Sequence, residues 1–291
     1  MAVEYINCKE IASKIKLGAN AYINESNRLY SPCLAFIQVG NNPASNSYVK
    51  YKMKDCDEVG ISYEVHKFNK QVSRTSIIKL IKDLNRRTDI HGIMVQLPLP
   101  GELSYFKSDI LNAIDPKKDV DGLTPTNQGL ITNNDSFHLV PCTPWGVMEI
   151  INYYSDTIKE SLEGKKALVV GRSDLVGKPL AQLLVANDLE VTVCHSRVPF
   201  KTTLQLIEES DIICLAVGSP KFFNPKKIKE NALVVDIGTT YIRDKLYGDF
   251  DGSNIDPNIH YYATPVPGGI GPLTRAGLMH NVASAYNKFS I

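Results

Sequence analysis

The chain has 291 residues, which at about 100–200 residues per domain implies two domains. With 43% hydrophobic and 22% charged residues it has ordinary globular usage, so disorder is excluded. A formal net charge of +1 gives no global field that would favour nucleic acid or an anionic membrane, so any acidic ligand must meet a local basic patch.

In chain order, Ile6 to Arg28 reads as a helix, and Leu34 to Val39 as a buried strand closed by Gly40-Asn41-Asn42-Pro43. Ser45 to Gly60 reads as a helix with Ser45 as its candidate N-cap. A short strand, Ser62–His66, and a helically spaced segment, Ser73–Arg87, precede a second buried strand, Gly92–Leu97, stopped by Pro98 and Pro100. This β-α-β-α-β order implies a parallel sheet covered by helices. Trp145 to Tyr154 has helical character and would join the domains. A second series follows: strand Lys166–Val170, helix Lys178–Asn187, strand Val191–Cys194, helix Thr203–Ser210, strand Asp211–Val217 and strand Ala232–Ile237. Such a series is the framework of a nucleotide-binding domain. Leu273 to Ser290 reads as a terminal helix that would pack back on the first domain. The expected boundaries are 1–144 with the helix 273–291, and 145–272.

The six cysteines are scattered without a C-x-x-C pair, which suits free thiols in a reducing compartment. The N-terminus lacks the apolar core of a secretion signal, and no apolar run approaches the ~20 residues that span a bilayer. Cytosolic residence, without membrane association, is the default expectation. The six histidines form no H-E-x-x-H motif or His/Cys cluster, so no protein-held catalytic metal is expected.

Between a strand and a helix lies Val170-Gly171-Arg172-Ser173-Asp174-Leu175-Val176-Gly177-Lys178-Pro179. Glycines there permit a tight turn and close approach to phosphate, and the helix N-terminus adds unpaired N–H groups. Ser173 replaces the middle glycine of G-x-G-x-x-G, so an ordinary β-α turn remains the plain alternative. The next strand ends in His195-Ser196-Arg197, where an NAD enzyme usually places an acidic residue for the ribose 2′-hydroxyl. Ser196 with the guanidinium groups of Arg172 and Arg197 would bind a 2′-phosphate instead, which favours NADP.

In the first domain, Tyr48 and Lys52 stand one helical turn apart. A ring beside an amine can stack a flat heterocycle while the amine handles protons; a solvated run of Lys50, Lys52 and Lys54 is the plainer alternative. Gln96 ends a buried strand, where open α/β sheets place ligands, or is simply a satisfied loop glutamine. Asp119-Val120-Asp121-Gly122 offers two carboxylates, one of which could hold an amino-substituted ring, or forms an Asx-type turn and nothing more. Thr264 to Pro272 alternates proline stiffness with glycine freedom, unlike a plain linker.

Over nearly the whole chain, these segments resemble the bifunctional methylenetetrahydrofolate dehydrogenase/methenyltetrahydrofolate cyclohydrolase family. The resemblance is carried by Val39–Ser45 with Tyr48 and Lys52, Val95–Pro100, Lys118–Gly122, Pro141-Cys142-Thr143-Pro144, Val170–Ser173 with Val176–Pro179, and the Thr264–Pro272 loop. It implies an α/β fold of two domains, an N-terminal catalytic domain with a parallel sheet and a C-terminal NAD(P)-binding Rossmann domain, with a cleft between them. It implies NADP-dependent oxidation of 5,10-methylenetetrahydrofolate, then hydrolysis of the methenyl product to 10-formyltetrahydrofolate, by a homodimer. Lys52 matches the family's general acid/base, a role for which desolvation should lower its pKa. Gln96 matches the residue that orients this lysine, Tyr48 the ring that packs on folate, and Asp121 the carboxylate that binds the pterin amino edge. Leu97, Pro267 and Gly268 fall in the substrate-binding segments. Gly171, Arg172, Ser173 and Ser196 match coenzyme-binding positions, to which Arg197 and Thr239 are added.

Three departures stand out. Thr239-Thr240 replaces the frequent aliphatic-Asn pair, Gly248-Asp249-Phe250-Asp251-Gly252 only approximates the usual Gly-Asp-Val-Asp-Phe, and Arg197 follows Ser196. Two other kinds of protein compete with this reading: another two-domain dehydrogenase, acting on an amino acid or shikimate-like acid, and a non-catalytic dinucleotide-binding sensor. A dehydrogenase that has lost the hydrolytic step is a third alternative. The retained Lys52, Gln96 and Asp121 argue against the sensor and against the loss of hydrolysis.

Overall fold

The structure, a computed structural model, describes residues 3–26, 30–133, 139–243 and 245–289. Its first half contains β1 (Val3–Tyr5), α1 (Cys8–Glu25), β2 (Cys33–Val39), α2 (Pro43–Val59), β3 (Ser62–Phe68), α3 (Arg74–Arg86) and β4 (Gly92–Val95). A 3-10 turn, Gly101–Phe106, leads into α4 (Lys107–Leu111), α5 (Pro125–Thr132) and α6 (Cys142–Ile158). Then come β5 (Lys166–Val170), α7 (Gly177–Ala186), β6 (Glu190–Cys194), α8 (Phe200–Glu209), β7 (Ile212–Leu215) and β8 (Leu233–Asp236). The hairpin β9 (Thr240–Ile242) and β10 (Lys245–Tyr247), a 3-10 turn at Gly252–Asn254, β11 (Tyr261–Ala263) and α9 (Ile270–Phe289) complete the order. The predicted helix ends at Arg28 and Ser290 lie outside the described residues. The elements divide into two compact units, Ser13–Cys142 with Arg275–Ile291, and Met1–Ala12 with Thr143–Thr274.

In the first of these units a three-stranded parallel sheet runs β3-β2-β4. Its central strand β2 is buried from Leu34 to Val39, and the strand's period of two sends neighbours to opposite faces. Leu34 and Phe36 join Met94 and α9 residues Leu278, Met279 and Val282 in one cluster. Ala35 and Ile37 join Ile93 and α3 residues Ile77, Ile81 and Leu84 in the other. α3 begins where Ser73 Oγ accepts the N–H of Ser76 at 3.1 Å.

The other unit holds a six-stranded sheet in the order β1-β11-β8-β7-β5-β6, with every pair parallel. β6 lies on one side of β5 and β7 on the other, so the strand order reverses at β5/β7. One expectation is corrected here. The N-terminal residues group with the dinucleotide-type unit, because β1 pairs with β11 and Ile6 N–H donates to Ala263 O at 2.9 Å. Three-residue strands have no readable period, and only pairing with a distant partner creates them. For the same reason the hairpin β9–β10 and strand β11 went unpredicted.

Asn281 of α9 is buried, and its Nδ2 donates to Val120 O at 2.9 Å and Val140 O at 2.8 Å. Asn281→Leu removes both hydrogen bonds, leaving Val140 O without this donor and Val120 O with the weak Cys142 thiol donor at 3.3 Å. It should cost about 1–3 kcal/mol, read as a lowered urea midpoint at unchanged slope. A midpoint equal to the parent's would show that these carbonyls do not depend on Asn281.

Candidate functional site

α2 carries Tyr48 and Lys52 one turn apart on one face. The helix starts earlier than expected: Pro43 is its first residue, and Asn42 Oδ1 accepts the N–H of Ser45 at 3.2 Å. The cap is therefore Asn42 and not Ser45, whose own backbone is the capped donor; Pro43 loses nothing at a position whose N–H would be unpaired anyway. One turn past Lys52, buried Asp55 accepts from Lys16 Nζ at 3.2 Å and Arg275 Nε at 2.6 Å. Arg275 also lies over the Tyr51 ring at 5.2 Å. These contacts pin α2 to α1 and α9.

Lys52 is 8% exposed, and its Nζ donates to Met94 Sδ at 3.1 Å and to Gln96 Oε1 at 3.3 Å. Gln96 directly follows β4, where its N–H still donates to Ile37 O at 2.8 Å and its Nε2 donates to Leu97 O at 2.6 Å. Those two bonds fix the amide with its oxygen towards the lysine. Tyr48 is 44% exposed, leaving its ring open for stacking. Leu97, half-buried, continues from Gln96.

The two carboxylates of the 119–122 turn have separate fates. Asp119 is 1% exposed and accepts the N–H groups of Leu123 (3.1 Å) and Thr124 (2.7 Å) and Asn127 Nδ2 (3.0 Å). Burial raises its pKa, against the pull of those donors. Gly122, at φ +69°, closes the turn where a Cβ would stand 2.5 Å from Pro141 N. Asp119 thus belongs to the turn itself, and Asp121 two residues on is half-buried. Cys142 links the set: burial and then the charge of Asp121 hold its thiol well above the usual range, while Lys52 opposes them. Asp121, Cys142 and Lys52 therefore share one electrostatic neighbourhood.

Sequence reasoning assigned no role to Met94, Cys142 or Asp55. Met94 was within reach, since the period of two puts it on the face of Gln96; Asp55 has partners too distant in sequence to signal them. Pro267 and Gly268 belong to the other unit, in the loop after β11, with Gly268 at φ +101°.

In that unit, Val170 pairs with Cys194 and with Leu215, so Gly171, His195 and Ala216 leave three adjacent strands at one edge. This is the switch point at which open α/β sheets bind ligands. Gly171 has φ +131°, and a Cβ there would stand 2.5 Å from Ala216 O. A Cβ at Gly177 would overlap Gly171 O, so only glycine brings the start of α7 this close. Ser173 Oγ accepts the N–H groups of Val176 at 3.2 Å and Gly177 at 3.4 Å, closing the turn in place of the missing glycine. Arg172, Ser196 and Arg197 are exposed at the same edge, and exposed Thr239 follows β8. A glycine turn, a helix start and two free-reaching guanidiniums fit a phosphorylated dinucleotide. Among the described residues, no group of three or more His, Cys, Asp or Glu side chains is placed to hold a metal ion.

Behind this edge lie two buried acids. Asp236, 4% exposed at the end of β8, accepts the N–H groups of Asp249 at 2.9 Å and Phe250 at 3.0 Å. Burial, opposed by those two bonds and aided by the charge of Asp249, pushes the Asp236 carboxyl up to about 7.

Fold and sites together define a two-unit α/β protein with a dinucleotide-binding edge and a lysine-centred polar site. Residues 6–121 match the model of the tetrahydrofolate dehydrogenase/cyclohydrolase catalytic domain, and residues 141–290 that of the family's NAD(P)-binding domain. The chain belongs to the tetrahydrofolate dehydrogenase/cyclohydrolase family. It is 41% identical over 283 residues to the bifunctional protein FolD of Nitrosopumilus maritimus, covering 96% of this chain and 95% of that one. The bifunctional FolD crystal structure from Campylobacter jejuni superposes with a TM-score of 0.90 at 36% identity, covering 99% and 100% of the two chains. The Trypanosoma brucei methylenetetrahydrofolate dehydrogenase-cyclohydrolase, solved with NADP and an inhibitor, gives 0.89 at 31% identity and 98% coverage of both.

Asp236 makes stability depend on pH. Between the ordinary value of 3.8 and about 7, the native state keeps a proton that the unfolded chain has released. Its contribution is therefore greatest at the acid end of that window and is lost as pH rises through 7. Asp236→Asn cannot ionise, so its unfolding free energy relative to the parent should improve from about pH 5 to about pH 8. Urea unfolding of both proteins at the two pH values measures this, and a constant difference would show that Asp236 does not titrate there.

Proposed function

We propose that this protein oxidises 5,10-methylenetetrahydrofolate with NADP and then hydrolyses the 5,10-methenyl product to 10-formyltetrahydrofolate. The observation that carries the proposal is the buried Lys52 Nζ 3.3 Å from Gln96 Oε1, one turn from the open Tyr48 ring. A non-catalytic sensor would have no use for such a pair.

When bound, NADP supplies the acceptor for the hydride that leaves the methylene carbon. Arg172, Ser196 and Arg197 bind its 2′-phosphate, Gly171 and Ser173 present the turn and the start of α7 to the pyrophosphate, and Thr239 adds a contact. Tyr48 packs on the folate ring, Asp121 accepts hydrogen bonds from the pterin amino edge, and Leu97, Pro267 and Gly268 line the substrate. Oxidation needs alignment more than acid–base help, because a folate nitrogen lone pair stabilises the methenyl cation. Hydrolysis needs proton transfer. Water adds to the cationic carbon and passes one proton to Lys52 Nζ; the folate nitrogen takes that proton as its bond to the carbon breaks, and the added hydroxyl releases its remaining proton to solvent as the formyl C=O forms. Gln96 holds Lys52 in line. Cytosolic residence and a homodimer complete the proposal; among the described residues no helix is long and apolar enough to cross a membrane.

Purified protein given methylenetetrahydrofolate with NADP or NAD in parallel should reduce NADP preferentially, with little methenyl build-up. Absence of reduction with either coenzyme by folded protein would reject the dehydrogenase role. Lys52→Met should lower methenyl hydrolysis by about 100-fold or more and leave NADP affinity within about twofold; equal hydrolysis by mutant and parent would remove Lys52 from the mechanism. Arg172→Ala should weaken NADP about tenfold and NAD far less, and equal weakening would refute the phosphate contact.

A further inference from the structure

The Gly248-Asp249-Phe250-Asp251-Gly252 segment has no part in the chemistry above, yet it contains a fully buried acid. Asp249 is 0% exposed, and its oxygens end on three consecutive backbone amides. Oδ2 accepts from Val217 N at 2.6 Å and Gly218 N at 3.0 Å, and Oδ1 accepts from Ser219 N at 2.7 Å. Three converging amides make an anion-binding nest, here filled by the chain's own side chain. Asp249 is held in turn by Asp236, which accepts its N–H, and Asp236's own N–H donates to Thr264 Oγ1 at 2.9 Å. Space around the pair admits only glycine: a Cβ at Gly238 would overlap the Asp249 carboxylate, and one at Gly248 the Asp236 carboxylate.

The captured loop follows β7 and borders the coenzyme edge. Ala216, just before it, donates to Val170 O at 2.8 Å, and its own oxygen is the atom a Cβ on Gly171 would meet. Thr240 holds the same loop through a second contact, Oγ1 to Gly218 O at 2.9 Å. Val217 and Gly218 themselves are exposed there.

We infer that Asp249 is a positioning residue for the coenzyme: it fixes the Val217–Ser219 loop opposite the Gly171 turn, and so sets the crevice that NADP enters, without touching NADP itself. This rests on the NADP role proposed above. An amide side chain would not do the same, because the three N–H groups end on both carboxyl oxygens and an amide offers one accepting oxygen.

Asp249→Asn replaces one accepting oxygen with an amide NH2 that faces N–H donors. NADP affinity, followed by fluorescence titration, should weaken about tenfold. The dehydrogenase KM for NADP should rise in parallel, with kcat recovered at saturating NADP, and hydrolysis of methenyltetrahydrofolate without coenzyme should be unchanged. Should this variant fail to fold, Thr240→Val, which leaves the carboxylate intact and loosens the same loop, should weaken NADP about threefold with hydrolysis again unchanged. Parental NADP affinity in the variants that fold, or equal loss of hydrolysis and NADP affinity, overturns the inference. A parent that binds no NADP overturns the coenzyme assignment first, and this inference with it.

Discussion

A lysine nitrogen kept almost entirely out of water is the constraint around which the Ser13–Cys142 unit is arranged. Removing a charge from water is costly unless polar partners replace the lost hydration. Among the described residues, the groups at hydrogen-bonding distance of Lys52 Nζ are a thioether and an amide oxygen, both neutral. Such partners satisfy its donors without pairing it to a carboxylate, which suits the proton-transfer role proposed for it. Keeping the geometry then falls to the scaffold: α2 is capped by Asn42 and tied by Asp55 to Lys16 and Arg275, and β4 is held in register by β2.

The coenzyme edge is built on the opposite principle. The specificity proposed for it rests on exposed guanidiniums at the strand ends, and its shape comes from backbone that only glycine permits at 171 and 177. Long cationic side chains in water can adjust to a phosphate, whereas the turn beneath them cannot move without collision. Rigidity is thus spent on the backbone and latitude on the side chains, the reverse of the lysine site.

The legible parts of the fold were those whose signal is local. β2 and β5 are unbroken apolar runs between turn residues, and α3 follows a capping serine with helical spacing. β1 and β11 are three residues each and exist only because they pair with one another and with β8, more than two hundred residues from β1. The same division holds for the sites. The need for glycine at 171 and 177 could be read from a strand-turn-helix pattern. Lys52 and Gln96 are 44 positions apart, and nothing in their spacing says they touch; resemblance to a family supplied that link. Of the two acids in Asp119-Val120-Asp121-Gly122, composition could not say which one the turn itself uses. The choice follows from burial and from the donors of residues 123, 124 and 127, which only the folded turn brings together.

Asp119 and Asp249 show how this chain uses its buried acids. Each is buried and meets that cost with three N–H donors, two backbone amides and one side-chain amide for Asp119 and three backbone amides for Asp249. A carboxyl group bonded and buried in this way is out of reach of a ligand, so it serves to hold its loop. The loops so held are those beside the ligand-directed groups: the 119–124 turn carries Asp121, and the 217–219 loop faces the Gly171 turn. These buried acids therefore settle the backbone beside the acids and guanidiniums proposed to meet substrate and coenzyme.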